Sequence, residues 1–258
     1  MSRVRPALIL TVFTLVTLPL MPLQQIFVWV WPAMARRFPM HYHRLVLRIL
    51  GVRLKIIGTP PQPGPTLVAS NHVGWLDIVV LSAVAPISFV AKREVNGWPF
   101  FGALARLQRT VFVDRDRRHA TGNARDEMQE RLMGGDTLVL FPEGTSSDGS
   151  HILPFKSAFF GAAGLPGVVV QPVTVAYAGH RNLPMTRRLR PSYAWYGGME
   201  LPSHLWEALA TGPIEVTVIC HPPLALSGEA DRKALARHAE ELVRKGLVLA
   251  LHHPAKMV

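Results

Sequence analysis

From residue 52 onward, short β-branched runs alternate with stretches of helical periodicity, and this alternation restricts the fold more than any other feature of the chain. The runs at 52–57, 66–70, 87–91, 110–113, 137–141, 168–177 and 214–219 read as strands, and 76–85, 99–107, 117–132 and 231–251 as helices. Consecutive parallel strands need a crossover, so the pattern predicts βαβ units: an α/β fold with a largely parallel sheet flanked by helices. The Pro-rich stretch 59–65 is a stiff loop between strands, too short for a domain linker. With 258 residues, 49% of them hydrophobic, the chain can bury one sizeable core and carry a small appendage. We assign residues 51–258 to the α/β domain and 1–50 to an N-terminal membrane anchor and amphipathic helix.

That N-terminal part is apolar from 7 to 18, is interrupted by Pro19, Pro22, Gln24 and Gln25, and is apolar again from 26 to 35. Neither half reaches the ~20 residues that span a bilayer as a helix. The segment therefore reads as one kinked spanning helix or as a helical hairpin dipping into one leaflet. Basic residues flank both sides, Arg3 and Arg5 before, Arg36, Arg37, Arg44 and Arg48 after, which favours the hairpin with both flanks cytoplasmic. A cleaved signal peptide fits less well, because Trp29 and Trp31 suit an interfacial belt better than a small-residue cleavage site. From 33 to 50, arginines alternate with apolar residues, as in a helix lying on an anionic membrane surface. His41 and His43 are two residues apart, off a common helix face, so no metal site is expected there.

The net charge of +11 suits nucleic acid, an anionic membrane or an acidic substrate. A mean hydropathy of +0.21 with only 17% charged residues argues for the membrane and against nucleic acid. The single cysteine, Cys220, excludes an intrachain disulfide and a multi-thiolate zinc site; at the end of an alternating apolar run it reads as a buried strand thiol.

In parallel α/β sheets, ligands bind beyond the carboxyl ends of the strands, and two of those positions carry unusual chemistry. After the run 66–70 comes Asn71-His72-Val73-Gly74-Trp75-Leu76-Asp77. An aspartate five residues past a histidine, across a glycine turn, can hold one imidazole nitrogen and leave the other as general base for an alcohol. The same residues also fit a helix-start aspartate and a surface histidine. After the run 137–140 comes Phe141-Pro142-Glu143-Gly144-Thr145-Ser146-Ser147-Asp148-Gly149, a turn whose amides and hydroxyls can hold an anion or polar headgroup, or simply turn the chain.

Together the blocks Asn71-His72…Asp77 and Phe141-Pro142-Glu143-Gly144-Thr145 resemble the NHxxxxD and FPEGT hallmarks of the bacterial 1-acylglycerol-3-phosphate acyltransferase family of lysophospholipid acyltransferases. Phe100-Phe101-Gly102 with Val111-Phe112-Val113-Asp114-Arg115, and Gln171-Pro172-Val173, stand in order where that family carries its remaining blocks. The resemblance covers roughly residues 52–220. It implies a membrane-lipid O-acyltransferase at the cytoplasmic face of a bacterial inner membrane, without metal or bound cofactor. Its co-substrate would be a fatty acyl thioester of acyl carrier protein or coenzyme A. His72, oriented by Asp77, would deprotonate the acceptor hydroxyl, which attacks the thioester directly. Glu143 and Gly144 would shape the acceptor pocket, Thr145 and Ser146 would donate hydrogen bonds, and Arg115 would supply a cation, unless it pairs with Asp114 or Asp116. Backbone amides near the histidine turn would stabilise the oxyanion.

Two departures bear on the acceptor. Ser146 stands where lysophosphatidate enzymes commonly carry arginine, and Arg109 replaces the usual glycine of the Phe-Val-Asp-Arg block. The run from Phe141 through Phe160 looks more like the lyso-ornithine lipid acyltransferase branch, although Lys156 and Arg115 could still serve a phosphate. The competing reading is a non-catalytic membrane-associated protein that binds anionic lipid; it leaves His72, Asp77 and Glu143 at the strand ends without a purpose. A serine hydrolase lacks its Gly-x-Ser-x-Gly elbow.

Overall fold

The computed structural model describes residues 4–113, 120–225 and 232–252. Two helices lead, α1 (Val4–Val30) and α2 (Pro32–Leu50), followed by β1 (Val52–Gly58), β2 (Thr66–Ser70), α3 (Leu76–Val84) and β3 (Ser88–Lys92). The chain continues through α4 (Phe101–Leu107), β4 (Val111–Val113), α5 (Ala120–Met133), β5 (Thr137–Leu140), β6 (Val169–His180) and β7 (Leu183–Pro184). It ends with α6 (Leu201–Thr211), β8 (Ile214–Cys220), β9 (Leu224–Ala225) and α7 (Arg232–His252).

The sheet order is β1-β8-β6-β2-β5-β3-β4, with β7 and β9 pairing against β6. From β6 to β4 every neighbour is parallel, and β8 runs antiparallel to β6. The sheet is thus largely parallel, as the alternation predicts. Every residue of β2 and β5 is buried, as expected where helices cover both faces. One apolar layer joins α3 to Val46, Leu47 and Leu50 of α2 and Ile9 of α1; the other lies under α7, with Leu235, Ala239, Val243 and Leu247. Since β2 and β5 pair in parallel, from Thr66 opposite Thr137 to Ala69 opposite Leu140, the loops that leave their carboxyl ends emerge side by side.

The N-terminal apolar run is one continuous helix through Pro19 and Pro22, and the chain reverses at Trp31 rather than at the prolines. A buried glutamine explains part of this. Pro39 lacks the N–H that would bond the Ala35 carbonyl one turn back. Gln24 Nε2 donates to Ala35 O at 3.0 Å and to Leu107 O at 2.9 Å, tying α1 to α2 and to the end of α4. Thr17 Oγ1 and Tyr42 Oη, 2.8 Å apart, make a second tie. At the other end, the Arg5 guanidinium donates to the carbonyls of Leu209 and Leu50. The opposite face of α1 is bare: Val4, Leu8, Leu15, Leu18, Ile26 and Trp29 are all exposed. By length and composition α1 could cross a membrane.

If Gln24 replaces the donor that Pro39 lacks, Gln24→Leu should destabilise the protein by about 1–3 kcal/mol, the penalty of stranded carbonyls. Adding Pro39→Ala should recover part of that loss. Thermal midpoints of the two single variants and the double variant check this, and strictly additive losses would show that the pair is uncoupled.

Candidate active site

Asp77 lies in the first turn of α3, where the helix dipole favours a negative charge. It is fully buried. Its Oδ2 accepts from His72 Nδ1 at 2.8 Å, Val73 N at 2.6 Å and Gly74 N at 3.0 Å. Its Oδ1 accepts from Tyr177 Oη at 2.9 Å. With Nδ1 donating to the carboxylate, His72 presents its other nitrogen, Nε2, as a lone pair. Gly74 lets the turn close, since a Cβ there would meet Trp195 N at 2.8 Å, the same amide that donates to Val73 O.

The neighbouring loop brackets His72 at both ends of its backbone. Glu143 Oε1 accepts from His72 N at 2.9 Å, and Ser147 N donates to His72 O at 2.9 Å. The ring of Phe141 stacks on the imidazole, centroids 4.0 Å apart and planes 16° from parallel. Glu143 Oε2 accepts from Leu153 N at 3.1 Å, so both its oxygens bind backbone amides and the side chain is buried. Burial pushes its carboxyl up to about 8, against the two amides that favour the anion.

A cavity of about 710 Å³ opens beside the histidine. His72, Phe141, Gly144, Thr145 and Ser146 line it, with Trp75, Trp98 and Trp195 nearby and Ile9, Phe13 and Leu20 of α1 along the apolar wall. Of the expected site residues, the structure therefore brings His72, Gly144, Thr145 and Ser146 to one cavity and places Asp77 behind the histidine. Gly144 has φ +75°, and a Cβ there would meet Lys156 Nζ at 2.8 Å.

Three expectations need adjustment. Glu143, expected at the acceptor, is turned inward and holds the histidine loop instead. The amides nearest the histidine, expected to bind an oxyanion, are taken: those of Val73 and Gly74 by Asp77, that of His72 by Glu143. Arg115 lies outside the described residues. Sequence reasoning also missed Tyr177, although a tyrosine inside a buried strand signals a hydroxyl in need of a partner. Asn71 proves structural, its amide exchanging two hydrogen bonds with the backbone of Val175 at 2.9 and 2.8 Å. Among the described residues no cluster of side chains is suited to a metal.

A histidine held by a buried aspartate faces an apolar cavity at the carboxyl end of a mostly parallel sheet, an arrangement suited to activating a hydroxyl group beside an apolar chain. The family model described as Acyltransferase matches residues 52–176. The chain is 45% identical to a lyso-ornithine lipid O-acyltransferase of Brucella abortus, covering 97% of this chain and 96% of that protein. It is 41% identical to one from Rhizobium meliloti over 95% and 86%, and 36% identical to a 1-acyl-sn-glycerol-3-phosphate acyltransferase of Neisseria meningitidis over 83% and 82%. The crystal structure of the 1-acyl-sn-glycerophosphate (LPA) acyltransferase PlsC from Thermotoga maritima shares the fold, with a TM-score of 0.69 at 23% identity and 96% coverage of both chains. The protein belongs to the acyltransferase family and is a lysophospholipid-type acyltransferase.

The raised Glu143 carboxyl gives a pH test. Its folded pKa exceeds the unfolded value, so its stabilising contribution is complete below about 4.5 and is lost as pH rises through about 8. In Glu143→Gln the group no longer titrates. The thermal midpoint of wild type relative to that variant should fall between pH 6 and pH 8.5; a pH-independent difference would show that the carboxyl is not shifted.

Proposed function

We propose that the protein transfers a fatty acyl group from the thioester of acyl carrier protein or coenzyme A to the free hydroxyl of lyso-ornithine lipid, with lysophosphatidate the second acceptor to test. The thioester is a co-substrate, and no metal or bound cofactor takes part. The observation that supports this is the His72 Nδ1–Asp77 Oδ2 bond of 2.8 Å at the wall of an apolar cavity. His72 Nε2 takes the hydroxyl proton as the alcohol oxygen attacks the thioester carbonyl; the thiolate leaves and recovers that proton from the imidazolium. Asp77 stabilises the imidazolium and fixes the ring, and Tyr177 fixes Asp77. Glu143 positions the histidine backbone, and Thr145 and Ser146 contact the acceptor headgroup, with Arg115 as its cation.

The anchor reading follows from α1. Its inner face closes the cavity and its ends are tied to α2, α4 and α6, while its outer face is apolar. A helix held to its domain along its length lies in the membrane surface rather than across it. Residues 1–50 then serve as the anchor and 51–258 as the catalytic domain, at the cytoplasmic face of the inner membrane.

His72→Ala should lower acyl transfer by roughly 10²–10⁴-fold with membrane binding intact, the usual range for a lost general base. Activity within a few-fold of wild type would remove His72 from the mechanism. The acceptor is decided at Ser146. Ser146→Arg should shift the ratio of kcat/KM toward lysophosphatidate and away from lyso-ornithine lipid, because an arginine–phosphate contact is charge-assisted and often bidentate. A wild-type preference for lysophosphatidate that the substitution leaves unchanged would refute the lyso-ornithine assignment.

A further inference from the structure

Arg109 stands just past the end of α4 with a left-handed backbone, φ +60°. The N–H of Thr110 reaches back to Ala105 O at 3.1 Å, a helix closure that usually places glycine where Arg109 stands. The arginine side chain has a use there: Nη2 donates to Asp136 Oδ2 at 2.8 Å. The same carboxylate accepts from Arg36 Nε at 2.7 Å and from Arg131 Nε. Arg36 also reaches Gly134 O, and Arg131 reaches Arg109 O and Ser88 Oγ, so all three guanidiniums are held in place.

Among the described residues no other acid pairs with any of these arginines, so three positive charges meet one negative charge and two remain uncompensated. Two of the three guanidiniums are poorly placed for solvent to screen, the side chains of Arg109 and Arg131 being 20% and 18% exposed, while that of Arg36 is 41% exposed. Burial, and then the Arg131 charge, push the Arg109 guanidinium below its ordinary pKa, more than Asp136 offsets. Burial works to raise the Asp136 carboxyl, but Arg131 and Arg109 overcome it and hold the group below its usual range. The cluster sits where α1 turns into α2. Arg36 is on the second turn of α2, the exposed Arg37 follows it, and the exposed Trp29 and Trp31 flank the turn, a residue type that prefers the headgroup level of a bilayer. Asp136 precedes β5 whereas the loop that brackets His72 follows it, so the cluster lies at the opposite end of that strand from His72, behind the far wall of the cavity that Gln108 and Thr110 line.

We propose that the Arg36–Arg109–Arg131 cluster binds the phosphate of an anionic phospholipid headgroup in the bilayer on which α1 lies. The proposal rests on the membrane reading of α1 and is independent of the acceptor. Guanidiniums already oriented by Asp136 lose little freedom on binding, and a phosphodiester supplies charge-assisted acceptors for the surplus.

The test is the thermal midpoint of the full-length, detergent-solubilised protein titrated with dihexanoyl phosphatidylglycerol, dihexanoyl phosphatidylcholine or inorganic phosphate. Phosphatidylglycerol should give a saturable rise of about 3–5 °C at tenfold excess over its Kd. Arg36→Gln should abolish that rise, while Arg36→Lys, which keeps the charge, should retain most of it. The charge-matched control Arg48→Gln, at the far end of α2, should retain it fully. Acyl transfer to a micellar lysolipid should be unchanged in all three variants, so a failure here is separable from a failure of the catalytic reading. An equal shift with inorganic phosphate would overturn the lipid assignment. No saturable shift, or equal losses in Arg36→Gln and Arg48→Gln, would overturn the site.

Discussion

The architecture of the active site depends on one buried carboxylate. Asp77 has no exposed surface and would be intolerable there as an anion without donors; it collects four, from the His72 ring, the amides of Val73 and Gly74, and the Tyr177 hydroxyl. Each donor fixes something else. The two amides set the tight turn that Gly74 permits. The tyrosine ties that turn to β6, and the imidazole bond decides which ring nitrogen keeps its lone pair. Removing any one donor loosens the turn as well as the charge.

The second loop depends on the first. Because β2 and β5 are parallel neighbours, the Phe141–Ser147 turn arrives beside His72 and brackets it, Glu143 on the amide and Ser147 on the carbonyl. Thr145 and Ser146 thereby reach the cavity wall while Glu143 is withdrawn from it. The two hallmark blocks are thus not two independent sites but one hydrogen-bonded unit, in which the glutamate holds the His72 backbone and Thr145 and Ser146 line the cavity. The cavity that this unit opens onto is walled on one side by α1, whose opposite face is apolar and exposed.

Much of this was legible in the sequence, for physical reasons. The seven principal strands stand out as β-branched runs bounded by turn residues, and the His72 and Glu143 loops fall at their carboxyl ends as a parallel sheet requires. What escaped was set by distant partners. Helix α6 has no clear signal in the sequence, since Leu201–Thr211 mixes Pro202, Ser203 and His204 into a short apolar pattern. Two-residue strands such as β7 and β9 exist only by pairing with β6. The inward turn of Glu143 is invisible in a motif, because its partners are the backbone amides of His72, in another loop, and of Leu153, ten residues further along its own. Likewise Gln24 reads as a polar interruption of an apolar run until the carbonyls of Ala35 and Leu107 show what it bonds.

The central claim is that Asp77 fixes the His72 tautomer so that Nε2 can accept the alcohol proton. Nitrogen-15 NMR of histidine-labelled protein in micelles tests it, with the His72 ring identified by its disappearance in His72→Gln. The account predicts, at pH 8, a proton directly coupled to Nδ1 in a hydrogen bond and an unprotonated Nε2, with this order scrambled in Asp77→Asn. A neutral ring whose proton resides on Nε2 in the wild-type protein would contradict it.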